Sequence, residues 1–285
     1  MEQTTQLQKA RNISETLNAA FSFLREQFIP LAKNLLYVAG PLIILSALLN
    51  YFFFSKIFGA MVSNPSDPAT TFNLMFSPQY LLLMFTQVLV TTVIALIVNF
   101  YVLDYVEGTG PTSVARMWQL VLNKTPIFLV YNIVIFFLMM LGMMFFVLPG
   151  IYLAIALVLF IPAAIQENLG LGAAIKRSIH LIKNYWWFTL GLMLLSIIIL
   201  YIVYVVIELP FMLLGVGAVF SAGSPFSMEE FGNMYGIYVA FAQLSMLIYA
   251  FIFLVETVHF YSQREKKEAS GLSGQIAELE SPVTE

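Results

Sequence analysis

Long uncharged apolar stretches alternate along this chain with short segments that carry nearly all of its charged residues. A helix needs roughly 20 apolar residues to cross a bilayer core about 30 Å thick. Six stretches approach or exceed this length, and each predicts one membrane-spanning helix. The predicted spans are 35–54, 80–103, 126–148, 151–166, 185–207 and 231–255.

The third and fourth spans share one uncharged stretch, residues 125–166, which is about twice as long as a single crossing requires. It contains Pro149 and Gly150, which are turn-forming residues. We therefore predict that the stretch folds into a hairpin with its turn at Pro149-Gly150. The fourth span is short and contains Pro162, so its insertion is expected to depend on its hairpin partner.

Composition excludes a soluble globular protein. Of the 285 residues, 60% are hydrophobic and 10% are charged, against roughly 45–50% and about 25% in soluble domains. So few charges cannot cover the surface of a soluble domain. The sequence predicts an all-α polytopic membrane helix bundle in a single integral membrane domain, residues 1–261. A disordered cytoplasmic tail, residues 262–285, is expected to follow it, because Ser, Gly, Glu and Pro are frequent there.

The distribution of basic residues predicts the orientation, because Lys and Arg near span ends stay on the cytoplasmic side. On the opposite side, the only basic residue is Lys56. The other twelve of the 13 basic residues lie on one side: Lys9, Arg11, Arg25, Lys33, Arg116, Lys124, Lys176, Arg177, Lys183, Arg264, Lys266 and Lys267. Both termini are therefore expected in the cytoplasm, and the first span is expected to remain in the mature protein.

The spacing of several residues indicates an internal repeat. A shift of 60 residues aligns Glu107 and Arg116 with Glu167 and Lys176. A shift of 158 residues aligns positions 17, 21, 24 and 28 with positions 175, 179, 182 and 186, and both sets line one face of an α-helix. We predict three repeats, each an amphipathic interfacial helix followed by two spans. The middle short helix is predicted at 112–124.

One region is similar to known membrane families. Its features are the Pro149-Gly150 turn, Glu167, Gly170, the Ala-Ile-Lys-Arg-Ser run at 174–178 and the aromatic residues at 185–187. Together they resemble the bacterial families grouped around the glycerophosphoryl diester phosphodiesterase membrane domain and its YciC-like relatives, over residues 107–205. The resemblance implies a six-span helical protein of a bacterial cytoplasmic membrane. It implies no catalysis, because the phosphodiesterase of the family name is a separate barrel domain.

Acidic residues near span ends are the main candidates for chemistry, since a helix dipole disfavours negative charge at the C-terminus. These acids are Asp104, Glu107, Glu167 and Glu256. Their expected partners are Arg116, Lys176, Arg177 and Lys183. Alternatively, Glu107 and Glu167 stabilise the starts of the helices that follow them. A functional interpretation is that these residues, together with His259 one turn from Glu256, bind a lipid headgroup or a polar solute.

The sequence contains no motif for hydrolysis, phosphate binding or metal-dependent catalysis, and its two histidines exclude a multi-histidine metal centre. No cofactor, metal site or nucleic-acid partner is predicted. We expect a non-enzymatic membrane protein that organises membrane lipids, including anionic headgroups, or a protein partner. Two alternatives stay open. One is a transporter of a small solute or lipid with its site between repeats, and the other is an intramembrane enzyme that uses Glu256 and His259 on lipid headgroups.

Overall fold

A computed structural model describes residues 7–63, 73, 76–108, 112–145, 147–221 and 228–268. These residues are almost entirely helical, and no β-strand occurs among them. Six of the helical stretches are long and apolar enough to cross a membrane: Phe28–Phe54, Pro78–Val106, Val114–Met144, Val147–Gln166, Trp186–Phe211 and Gly232–Glu268. The predicted all-α polytopic helix bundle with six spans is confirmed.

The helices are numbered in chain order. They are α1 Ile13–Glu26, α2 Phe28–Asn34, α3 Gly40–Ser63, α4 Pro78–Val106, α5 Val114–Phe145, α6 Val147–Ala156, α7 Phe160–Gln166, α8 Leu171–Ile182, α9 Trp186–Ser221, α10 Met228–Ala242 and α11 Tyr249–Glu268. A π-helical stretch, Leu35–Ala39, joins α2 to α3. A 3-10 stretch, Gln243–Ile248, joins α10 to α11.

The short helix α1 begins at a capping box. The Asn12 side chain accepts a hydrogen bond from the Glu15 backbone N–H at 2.8 Å, and the Glu15 carboxylate accepts one from the Asn12 N–H at 2.9 Å. Two N–H groups that have no partner inside the helix are thereby satisfied. The helix buries Leu17, Ala20 and Phe23 on one face. The residues on its other face are therefore left outside this contact.

The break between the third and fourth spans differs from the prediction. Helix α5 ends at Phe145 and α6 begins at Val147, so Pro149 and Gly150 lie in the first turn of α6. The predicted turn at Pro149-Gly150 is wrong. Proline is tolerated there because the first N–H groups of a helix have no partner inside it. Gly150 instead permits close packing, since a Cβ atom at this position would come within 3.0 Å of the Met143 backbone nitrogen.

The middle short helix predicted at 112–124 is not a separate element. Helix α5 continues from Val114 to Phe145 without interruption and contains Pro126. In contrast, α1 and α8 are separate short helices close to their predicted positions. The middle unit therefore departs from the predicted arrangement of one short helix followed by two spans.

The chain divides into two compact units. The first unit contains residues 1–34, 95–198 and 250–285. Within it, the polar C-terminal part of α11 is buried, including Glu256, His259, Ser262 and Gln263. This helix continues to Glu268, so residues 262–268 are helical and the predicted start of a disordered tail at 262 is wrong. Residues 269–285 of that predicted tail lie outside the described residues.

The second unit contains residues 35–94 and 199–249. In it, α10 packs along α3, and Gly232 and Gly236 of α10 are both buried. Small residues four apart on a helix allow close approach of a neighbouring helix in membranes. Helix α9 extends to Ser221, beyond the span end predicted at 207, so Glu208 lies inside a helix.

Candidate functional site

Arg177 of α8 joins three segments of the first unit. Its Nε and Nη2 atoms donate to the two carboxylate oxygens of Glu167 at 2.7 and 2.6 Å. Its Nη1 and Nη2 atoms also donate to the carboxylate of Glu268, at the end of α11. Glu167 follows α7, so one guanidinium connects α8 to the ends of α7 and α11. We refer to Arg177, Glu167 and Glu268 as the arginine clamp.

The positive charge of Arg177 is paired within the arginine clamp. The hydrogen bond with Glu268 and those with Glu167 raise the pKa of Arg177 above its ordinary value, and partial burial opposes this only in part. The guanidinium therefore stays charged, and its charge is offset by two carboxylates. The sequence predicted that Glu167 pairs with a basic residue of a short helix, and the structure identifies Arg177 as that residue. Sequence reasoning missed Glu268, because it lies in the segment predicted to be disordered.

Helix α8 is held by further contacts. The Ser178 hydroxyl donates to the Ala156 carbonyl at 2.8 Å, and Ala174, Leu181 and Ile182 are buried on the same face. The Lys267 ammonium donates to the carbonyls of His180 and Lys183 at the C-terminus of α8. A cation is favourable there because the last carbonyls of a helix lack partners and carry partial negative charge.

The opposite side of α8 forms an exposed cationic surface. Lys176, His180 and Lys183 are exposed, and Trp187 at the start of α9 is 79% exposed. Neither lysine side chain has an ion-pair or hydrogen-bond partner among the described residues. We refer to Lys176, His180, Lys183 and Trp187 as the basic surface. Of the predicted site residues, Lys176 and Lys183 share this surface, while Arg177 belongs to the arginine clamp.

A second acid pairs as predicted. The buried carboxylate of Asp104, near the end of α4, accepts a hydrogen bond from Arg116 at 2.9 Å and one from the Thr112 hydroxyl at 2.7 Å. The carbonyl of Thr112 in turn accepts a hydrogen bond from the Asn34 side chain at 3.0 Å. This network connects the ends of α2 and α4 to the start of α5.

The remaining predicted residues are not brought together. Glu107 is exposed beyond the end of α4. Glu256 is buried, and no hydrogen bond or ion pair reaches its carboxylate from the described residues. His259 is fully buried, where its Nε2 atom lies 3.0 Å from the Thr189 hydroxyl and its ring stacks on Phe188. No hydrogen bond joins Glu256 and His259 in the described part of the chain, so these residues do not form the suggested pair.

Sequence reasoning missed a buried polar network on α11. The Thr257 hydroxyl donates to the Asn99 side-chain oxygen at 3.0 Å. The Gln166 amide donates to the Asn99 carbonyl at 2.9 Å, and its oxygen accepts from the Tyr261 hydroxyl at 2.6 Å. Helices α4, α7 and α11 are thereby joined. Only Asn99 could be recognised in advance, as a polar residue inside an apolar stretch.

The second unit contains polar contacts within its spans. Gln243, at the start of the 3-10 stretch, accepts hydrogen bonds from the Ser46 hydroxyl at 3.0 Å and the Gln87 amide at 2.7 Å. Gln87 of α4 and Ser46 of α3 are thereby connected through Gln243. The Ser245 hydroxyl donates to the buried carboxylate of Glu208 at 2.5 Å. The second carboxylate oxygen of Glu208 is buried without a hydrogen bond in the described structure.

No group of three or more His, Asp or Glu residues in the described ranges is arranged to hold a metal ion. Compared with protein-family models, curated proteins and solved structures, the chain shows no significant match. The resemblance to the glycerophosphoryl diester phosphodiesterase membrane domain and YciC-like families therefore stays a prediction.

Proposed function

We propose that this chain is a non-enzymatic integral membrane protein that organises anionic lipids through the basic surface of α8. The observation that supports this role is the pair of exposed lysines, Lys176 and Lys183, on a helix whose opposite face is buried. Cations on a rigid, anchored helix are well suited to phosphate groups at a fixed level of the membrane.

The charge balance favours lipid headgroups as the ligand. The arginine clamp offsets the charge of Arg177, so Lys176 and Lys183 supply the attraction. A lysine near an anionic membrane surface contributes about 1 kcal/mol, and two lysines correspond to roughly a 30-fold preference for anionic lipid. Trp187 follows Lys183 by four residues, at the start of a span, and tryptophan is enriched at the membrane interface.

The proposal places the basic surface at the cytoplasmic face of a bacterial inner membrane, with both termini in the cytoplasm. Its support is the bias in the sequence, in which twelve of 13 basic residues lie on one side of the six spans.

Lipid binding by the full-length chain tests the proposal. The purified protein is delipidated in detergent, and native mass spectrometry measures its binding of phosphatidylglycerol and phosphatidylethanolamine with identical acyl chains. The double variant Lys176→Gln, Lys183→Gln is expected to bind phosphatidylglycerol at least tenfold more weakly. The matched control Lys33→Gln, Lys124→Gln removes the same charge from exposed residues outside the basic surface and is expected to bind as the wild type does. Equal phosphatidylglycerol binding by all three proteins would contradict the proposal.

A transporter is the second candidate, and Glu208 is the observation that favours it. Intramembrane ionisable residues commonly mark ion or substrate pathways, and Glu208 bonds to Ser245 in the 3-10 interruption of another span. Interrupted spans form the binding sites of many transporters. Proteoliposomes loaded with a low-molecular-weight metabolite extract, with efflux followed by mass spectrometry, test this candidate. Efflux that the variant Glu208→Gln abolishes supports transport, and wild-type vesicles without efflux remove the candidate.

A further inference from the structure

A cavity of about 200 Å³ lies beside α1 in the first unit. Its polar lining comprises Arg11, Asn18, Ser22 and Glu26, and its apolar lining includes Phe23 and Tyr105. The cavity is smaller than the roughly 300–1,000 Å³ of pockets that enclose a drug-sized ligand. It therefore suits a small polar group rather than a whole lipid or cofactor.

The polar lining follows the periodicity of the helix. Positions 18, 22 and 26 are separated by four residues each, so they share one side of α1, and Arg11, which precedes the helix, lines the same cavity. Leu17, Ala20 and Phe23 are buried on another side. The side chains of Asn18 and Ser22 make no hydrogen bond with other described residues. Both are therefore available to a ligand in the cavity.

Two residues of opposite charge, Arg11 and Glu26, line the cavity. Arg11 is buried, and its Nη1 atom donates to the carbonyls of Leu7 at 2.7 Å and Lys9 at 3.1 Å, which fix the guanidinium in position. Glu26 is exposed at the C-terminal end of α1 and forms no ion pair with the described residues. A ligand with a negative and a positive group would meet an opposite charge at each of these two residues.

The cavity lies at the level of span ends. Glu26 precedes the span Phe28–Phe54 by two residues, and Tyr105 is the last residue but one of the span Pro78–Val106. Span ends lie at the boundary between hydrocarbon and headgroups. The groups that reach this level from the membrane side are lipid headgroups.

We propose that this cavity binds a phosphoethanolamine group, with the phosphate at Arg11 and the ammonium at Glu26. Guanidinium groups bind phosphate with strong, directional hydrogen bonds, and a carboxylate accepts hydrogen bonds from an ammonium. Asn18 and Ser22 add neutral hydrogen-bonding groups between the two charges. The site differs from the basic surface both in its residues and in its ligand, which is zwitterionic rather than anionic.

The variant Glu26→Gln tests the proposal, because this exposed side chain can be changed without disturbing the fold. The delipidated full-length chain is titrated with phosphatidylethanolamine or phosphatidylglycerol and observed by native mass spectrometry. Loss of one charge-assisted hydrogen bond corresponds to about a tenfold weaker affinity, so Glu26→Gln is expected to bind phosphatidylethanolamine about tenfold more weakly. The control Glu107→Gln removes an equivalent charge from an exposed glutamate outside the cavity and is expected to bind as the wild type does.

Soluble O-phosphoethanolamine distinguishes the two sources of the group. If it competes with phosphatidylethanolamine, the free group is itself a ligand. If it does not compete, the site requires the lipid. Affinity of Glu26→Gln for phosphatidylethanolamine within twofold of the wild type would overturn the proposal. The variant Lys176→Gln, Lys183→Gln in the same titrations distinguishes this proposal from anionic lipid binding at the basic surface. That variant is expected to change phosphatidylglycerol binding alone.

Discussion

Removal of the Arg177 charge tests whether the arginine clamp holds α8 against α7 and α11. The variant Arg177→Gln leaves the carboxylates of Glu167 and Glu268 facing one another without the cation that lies between them. The expected result is a loss of stability, because two partly buried anions then repel each other and lose hydrogen-bond donors.

The size of the effect follows from the exposure of each pair. Arg177 and Glu167 are 18% and 20% exposed and are joined by two short hydrogen bonds, so this pair is expected to contribute about 2 kcal/mol. Glu268 is 38% exposed, and solvent screening reduces its contribution to about 1 kcal/mol or less. The sum, about 3 kcal/mol, corresponds to a decrease in Tm of roughly 5–10 °C.

Thermal unfolding of the detergent-solubilised protein measures this decrease. Lys176→Gln is the matched control, because it removes a neighbouring exposed cation from the same helix and is expected to change Tm by less than about 2 °C. A double-mutant cycle of Arg177→Gln with Glu167→Gln is expected to give a coupling energy of about 2 kcal/mol. If Arg177→Gln and Lys176→Gln have the same Tm, the clamp does not stabilise α8 and the reasoning is refuted.

Two further predictions concern packing within each unit. Gly150→Ala is expected to destabilise the protein by about 1–3 kcal/mol in thermal unfolding. The added Cβ would lie 2.2 Å from Met143 Cγ and 3.0 Å from the Met143 backbone nitrogen. The control Gly172→Ala, where nothing lies within 4 Å of the added Cβ, is expected to be neutral or stabilising. Gln243→Leu removes the acceptor of Ser46 and Gln87 and is expected to cost about 1–3 kcal/mol in the same assay. Thr86→Val removes a hydroxyl that bonds only within its own helix, and an equal loss in both variants would contradict an inter-helix role for Gln243.

The acid pairs show how far local sequence information extends. Asp104 pairs with Arg116, twelve residues away, and Glu167 pairs with Arg177, ten residues away. Both pairs were predictable because a short connection brings the start of one helix near the end of the previous one. The Arg177 contact with Glu268 joins residues that are 91 positions apart, and nothing in the local pattern indicates it.

The incorrect prediction of a turn at Pro149-Gly150 shows a second limit of prediction from local sequence. Both residues are turn-forming by their intrinsic preferences, but each also has a favourable place in or near a helix start. Proline fits the first helical turn, and Gly150 allows close contact with Met143. Whether these residues form a turn or lie in a helix depends on the position of the neighbouring helix, which local sequence does not indicate.

The sequence by itself determined that this is an all-α membrane protein with six spans, because the length and apolar character of a segment largely decide whether it can cross a bilayer. It also determined that most basic residues lie on one side of the six spans. Only the tertiary structure decided that the polar segment after residue 255 is a buried helix, that Arg177 is occupied by two carboxylates, and that Arg11 and Glu26 line one cavity. These features arise from contacts between distant segments, and the burial of a polar side chain depends on which neighbours the fold provides for it.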